Sequence, residues 1–149
     1  PDGGVSVLAP APQYVAQFLT ETEALSAIRA KSVPVGSTNL VAVEATELPL
    51  RRFRNSWRQA GAAAPLVAMP LARTQRMNEV RTARVPRLAK ADADINRAWD
   101  TGMLPLEASL RTYRQALRDV PQTNQASLAA CGTVVALEAW QPTWPTNPA

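Results

Sequence analysis

Asp92 and Asp94, two carboxylates two residues apart, are the nearest thing in this chain to an acid–base pair, in which one group protonates a leaving group while the other activates a nucleophile. They fall inside a helical pattern, where residues two apart point in different directions, so they read as solvated helix surface. Glu21, Glu23 and Asp100 add oxygen donors, but no loop spaces these groups as a calcium site requires. There is no histidine, which removes the commonest general base, the commonest metal ligand and every Ser–His or Cys–His relay. The single cysteine, Cys131, lies in the apolar run from Leu128 to Leu137 and reads as an inert packed thiol. We therefore expect no catalytic residue, no cofactor and no metal site, and the chain reads as a non-enzyme.

A second chemistry is suggested by Arg51, Arg52, Arg54 and Arg58, which interleave with Phe53 and Trp57. Guanidiniums beside aromatic rings can hold phosphates and stack bases. No recognisable nucleic-acid module surrounds them, so the favoured reading is a loop anchored by Phe53 and Trp57 with its arginines in water. The net charge is +4, and 14 of the 16 basic residues are arginine. The planar guanidinium fork fits carboxylates at protein interfaces as well as it fits phosphate, so a nucleic-acid partner is the less favoured one.

The elements that must position these groups begin with a chain of 149 residues, enough for one domain or one small domain with an extension. Hydrophobic residues make up 46% of it, but many are alanine, and there are 13 prolines. The expected core is thin, in a shape completed by neighbours. The longest apolar-leaning run, Gly61 to Ala72, is too short to span a membrane and contains Pro65 and Pro70. The opening residues lack the basic start and apolar core of a signal peptide.

The expected fold class is α+β: a small N-terminal β-containing module over residues 1–69, an antiparallel helical hairpin over 70–121, and a C-terminal helix with an extended Pro/Trp-rich tail over 122–149. Alternating Val5 and Val7 predict a strand over 4–9, ended by Pro10 and Pro12. Thr20 and Glu23 form a capping box that opens a helix carrying Leu25 and Ile28. Residues 39–44 and 66–69 are further strand candidates. From about Leu71 a helical pattern places Arg73, Arg76, Arg81, Arg84, Arg87 and Lys90 within roughly half its circumference. Leu88, Ala91, Ile95, Ala98 and Trp99 form its apolar stripe. Pro86 predicts a kink or break near residues 82–86. Gly102 stops this helix and Pro105 opens the next, whose stripe is Leu106, Leu110, Tyr113, Leu117 and Val120. Pro121 ends the hairpin, and Asn124 caps a last helix with Gly132 as its weak point. Trp140 and Trp144, on a proline-stiffened tail, are costly to expose, so they fold back onto the hairpin or insert into another subunit. Arg73, Arg76, Arg84, Arg87, Trp140 and Trp144 are the candidate partner interface.

Several segments, in order, carry a resemblance. Pro1-Asp2-Gly3-Gly4-Val5 precedes Ala9-Pro10-Ala11-Pro12, and Ala30-Lys31-Ser32-Val33-Pro34-Val35-Gly36 closes the first helix. Leu48-Pro49 stands before Phe53-Arg54-Asn55-Ser56-Trp57. Arg84-Val85-Pro86-Arg87-Leu88, Tyr113-Arg114-Gln115-Ala116-Leu117-Arg118-Asp119 and Trp144-Pro145 complete the set. Spread over most of the chain, these resemble small proteins of the tail modules of tailed bacteriophages, labelled tail-fibre-assembly or tail-assembly-chaperone-like.

The resemblance implies a non-enzymatic structural protein of the virion, in the tail, baseplate or tail-fibre attachment region, that works by docking to other tail or fibre proteins. It implies membership of a multi-subunit assembly, self-association included, built in the host cytoplasm. A transient tail-fibre assembly chaperone is the alternative, and a nucleic-acid-binding phage protein the third reading.

Overall fold

The computed structural model describes residues 4–59, 61 and 63–149; the first three residues of the Pro1-Asp2-Gly3-Gly4 motif, and Ala60 and Ala62, lie outside them. The chain is mostly helical with one small two-stranded antiparallel sheet, and it divides into two compact units, Pro1–Leu66 and Val67–Ala149. The hairpin and the C-terminal segment thus belong to one unit.

In the first unit, α1 (Pro12–Val15) leads into α2 (Glu21–Ser32). The expected capping box opens α2: Glu23 N–H donates to Thr20 Oγ1 at 3.3 Å and Thr20 N–H donates to Glu23 Oε2 at 3.3 Å, which satisfies two of the amides that a helix start leaves orphaned. Tyr14 and Phe18 meet edge to face at 5.2 Å. Two short 3-10 turns follow, Ala45–Glu47 and Arg51–Ser56. The strands β1 (Trp57–Arg58) and β2 (Leu66–Val67) form the sheet.

The β content is therefore smaller than expected and lies elsewhere. Residues 4–9 and 39–44 are not strands, and the candidate at 66–69 shrinks to two residues. The alternation that suggested them is present, since Val5, Val7, Val41 and Val43 are half-buried between exposed neighbours. Period-two burial records which side of a segment faces inward, whereas a strand also needs a partner for its N–H and C=O groups. Among the described residues neither segment is paired as a strand.

The second unit is built on α3 (Met69–Asp100) and α4 (Leu104–Thr123), which contact each other along the hairpin. Leu110 and Leu117 of α4 are fully buried, and Ile95 and Ala98 of α3 pack with Leu110 and Leu106. Met77 and Val80 extend the buried stripe of α3 toward its start, whereas Trp99 leaves it and stands exposed. The turn between the helices is set by Gly102 at φ +71°. Gly102 N–H donates to Trp99 C=O at 3.0 Å and Met103 N–H donates to Ala98 C=O at 2.8 Å, the paired bonds of a Schellman close, which require the left-handed backbone glycine adopts without strain. Arg114 and Asp92 join the helices across a 2.8 Å ion pair.

No break occurs at Pro86, and α3 runs through it. Pro86, Thr82 and Val85 are all exposed, so the carbonyl that loses its amide donor lies on the wet side, where water replaces the bond. One turn away, Arg87 Nη1 donates to Ala83 C=O at 2.6 Å. Pro86→Ala restores the missing ladder bond, and we expect it to raise the unfolding free energy by about 1–2 kcal/mol in urea titration; a decrease would mean that the ring itself is required there.

Pro121 does not end α4, which continues to Thr123. A proline in a last turn removes one bond without preventing the helix from closing. The expected final helix is two, α5 (Gln125–Ala129) and α6 (Val134–Ala139), separated at the Cys131–Gly132–Thr133 corner. Thr133 Oγ1 recaps α6 by accepting from Ala136 N–H at 3.1 Å.

Candidate docking surfaces

The tail folds back on its own unit. Trp140 and Trp144 are half-buried, and each lies beneath a guanidinium of α3: Arg76 stands 5.5 Å from the Trp140 ring and Arg87 4.1 Å from the Trp144 ring. Arg76 and Arg87 are eleven residues apart, which returns to the same helix face at 100° per residue, so one stripe of α3 receives the tail. Cation–π contacts of this kind strengthen as they leave water.

The same arginine row closes the short helices. Arg73 Nη2 donates to Cys131 C=O at 2.9 Å, just past the end of α5, and Arg76 Nη2 donates to Trp140 C=O, at the end of α6. Terminal carbonyls have no intrahelical donor and carry the negative end of the helix dipole, so a cation placed there satisfies both. Arg76 is buried and also pairs with Glu79. Arg84 Nη1 donates to Arg118 C=O at 2.7 Å and ties α3 to α4. The candidate interface set of Arg73, Arg76, Arg84, Arg87, Trp140 and Trp144 is thus brought together on one face, engaged with this chain's own backbone and rings.

Asn124 completes the clasp, and the sequence reading missed its part in it. Its side chain is buried and does not cap α5. Its Nδ2 donates to Val120 C=O at 2.9 Å and Thr143 C=O at 3.0 Å, while Oδ1 accepts from Thr143 N–H at 2.7 Å. The amide therefore pairs with both polar groups of one tail residue, as a neighbouring strand would. An asparagine at a helix junction has an ordinary local explanation as a cap, and nothing in sequence spacing links it to Thr143. Trp140 Nε1 adds a bond to Ser127 Oγ at 3.2 Å.

In the first unit the basic/aromatic candidate set is arranged differently. Phe53 and Trp57 are buried, whereas Arg51, Arg52 and Arg54 are exposed, so the two rings present no stacking face. Arg58 Nη1 binds the Asn55 and Trp57 carbonyls at 3.2 and 2.7 Å. Asp92 and Asp94 do not converge: Asp92 pairs with Arg114, while the buried Asp94 pairs with Lys90 and Arg97. Among the described residues no three His, Cys, Asp or Glu side chains lie close enough to share a metal ion, and no helix is long and apolar enough to cross a membrane. Cys131 is buried.

Among the exposed apolar side chains of the second unit, three stand close together in sequence. At the closed end of the hairpin Trp99, Met103 and Leu104 are 63%, 53% and 56% exposed, on either side of the Schellman turn. A rigid turn holding large apolar side chains in water is the form of a docking site. No family model matches this chain, and no curated protein or solved structure is significantly similar to it.

Proposed function

We propose that this chain is a non-enzymatic structural protein of a tailed-phage virion, in the tail, baseplate or tail-fibre attachment region, and that it acts by docking to neighbouring subunits. The hairpin tip is the observation that carries the docking part of this reading. Trp99, Met103 and Leu104 are exposed on a turn fixed by Gly102, while the other two tryptophans of the unit are folded back. An aromatic anchor on a preorganised turn loses little conformational freedom on binding. The phage assignment rests on the ordered motifs from the N-terminal Pro-Asp-Gly-Gly to Trp144-Pro145.

The test is quantitative mass spectrometry of salt-washed virions. A fixed ratio to tail proteins supports a structural subunit; abundance in lysate with absence from particles replaces it with the assembly-chaperone reading. Trp99→Ser combined with Met103→Ser tests the surface. We expect incorporation to fall by about tenfold or more, with unfolding free energy changed by no more than about 0.5 kcal/mol because both side chains are exposed. Unchanged incorporation would remove the tip as the docking site.

A further inference from the structure

A groove of about 470 Å³ lies between the first turns of α3 and the α4–α5 junction. Arg73 and Arg81 stand along one wall, Gln122 and Gln125 on the other, and the buried Met77 and Leu128 contribute to its floor. No carboxylate lines it. Among the described residues neither arginine has an acidic partner: Arg73 binds the Cys131 carbonyl and Arg81 binds Asn78 Oδ1 at 2.8 Å. Arg73 commits one guanidinium nitrogen to that carbonyl and Arg81 is exposed, so the groove holds two cations with no carboxylate along its lining.

We propose that this groove binds a short acidic segment of a partner protein, with two carboxylates at Arg73 and Arg81 and an apolar side chain between them over Met77 and Leu128. The two arginines are about 12 Å apart along the helix axis, which an extended peptide spans in about four residues. Each glutamine amide offers a donor and an acceptor, matching the N–H and C=O of a peptide backbone. A nucleic acid fits less well. No aromatic residue lines the groove to stack a base, and two cations do not track a phosphate backbone. This inference rests on the docking reading and names the chemistry of the partner.

The experiment uses the full chain and a fluorescein-labelled peptide carrying two glutamates about four residues apart on either side of a leucine, read by fluorescence anisotropy. The glutamate peptide is expected to bind at least about tenfold more tightly than the same peptide with glutamines, and Arg81→Glu to weaken it by about fivefold or more. Arg81 is exposed, so the variant keeps the parent's unfolding midpoint and its loss of binding reports the groove. Equal affinity for both peptides, or no effect of Arg81→Glu, overturns the proposal. Displacement by a single-stranded oligonucleotide at lower concentration than by unlabelled peptide also overturns it, in favour of a phosphate ligand. Peptide binding by a protein absent from virions would leave the groove standing and remove the structural-subunit reading; presence in virions without peptide binding would do the reverse.

Discussion

Replacing Arg76 by alanine lowers the unfolding free energy by about 3 kcal/mol, the scale of truncating one member of a buried charged network. One side chain holds three things: the ion pair with Glu79, the orphan carbonyl at the end of α6, and the face of Trp140. Arg76 is only 5% exposed, so water does not replace what alanine removes. Its Nε is buried without an acceptor, which makes the arginine an imperfect fit and sets an upper limit on the effect. Arg76→Met keeps the aliphatic volume while removing the charge, and it should lose about 1 kcal/mol less than alanine because no cavity forms. Urea unfolding followed by far-ultraviolet circular dichroism measures both. Identical losses for the two variants would assign the whole effect to hydrogen bonds and charge; no loss in either would show that the clasp does not stabilise the unit.

Asn124→Ala lowers the unfolding free energy by about 2–3 kcal/mol, because a buried amide loses its hydrogen bonds and the N–H and C=O of Thr143 lose their partner. Its more specific consequence is release of the tail. Thr143 N–H and C=O both bind the Asn124 amide, so hydrogen exchange at Thr143 should become fast while the amides of α4 around Leu117 stay protected. Asn124→Asp discriminates further. A carboxylate still accepts from Thr143 N–H, but it places negative charge against the Val120 and Thr143 carbonyls that formerly accepted hydrogen bonds from Nδ2, so it should destabilise at least as much as alanine at neutral pH. If exchange at Thr143 does not change in Asn124→Ala, the tail is held by its tryptophans alone. The two variants differ in where they act: Arg76 closes α6 and seats Trp140, whereas Asn124 seats the chain two residues before Pro145.

The helical hairpin was legible because its determinants are local. The stripe from Leu106 to Val120, the capping box at Thr20 and Glu23, and the stop at Gly102 each depend on residues within one or two turns, where backbone geometry dictates which side chains meet. The same locality explains the errors. Period-two patterns at 4–9 and 39–44 could not reveal that no partner strand would arrive, and of the kink or break expected near Pro86 the break does not occur, since α3 runs through with Thr82 on its exposed side. Trp99 shares the spacing of a core residue, yet it lies at the edge of a stripe centred on Ala91, Ile95 and Ala98, which are buried.

What the sequence determined by itself is therefore the capped helix opening at Thr20, the two long helices of the hairpin and their apolar faces, and the absence of histidine. What only the tertiary structure decided is the use of the arginines and tryptophans. Fold-back and insertion into another subunit both cover Trp140 and Trp144, and composition does not distinguish them. The choice follows from contacts between residues more than fifty positions apart, Arg76 with Trp140 and Arg87 with Trp144, and from an asparagine that meets Thr143 only after α5 and α6 have turned the chain back along α3. Long-range pairing of this kind depends on how the chain closes on itself, which no local spacing records.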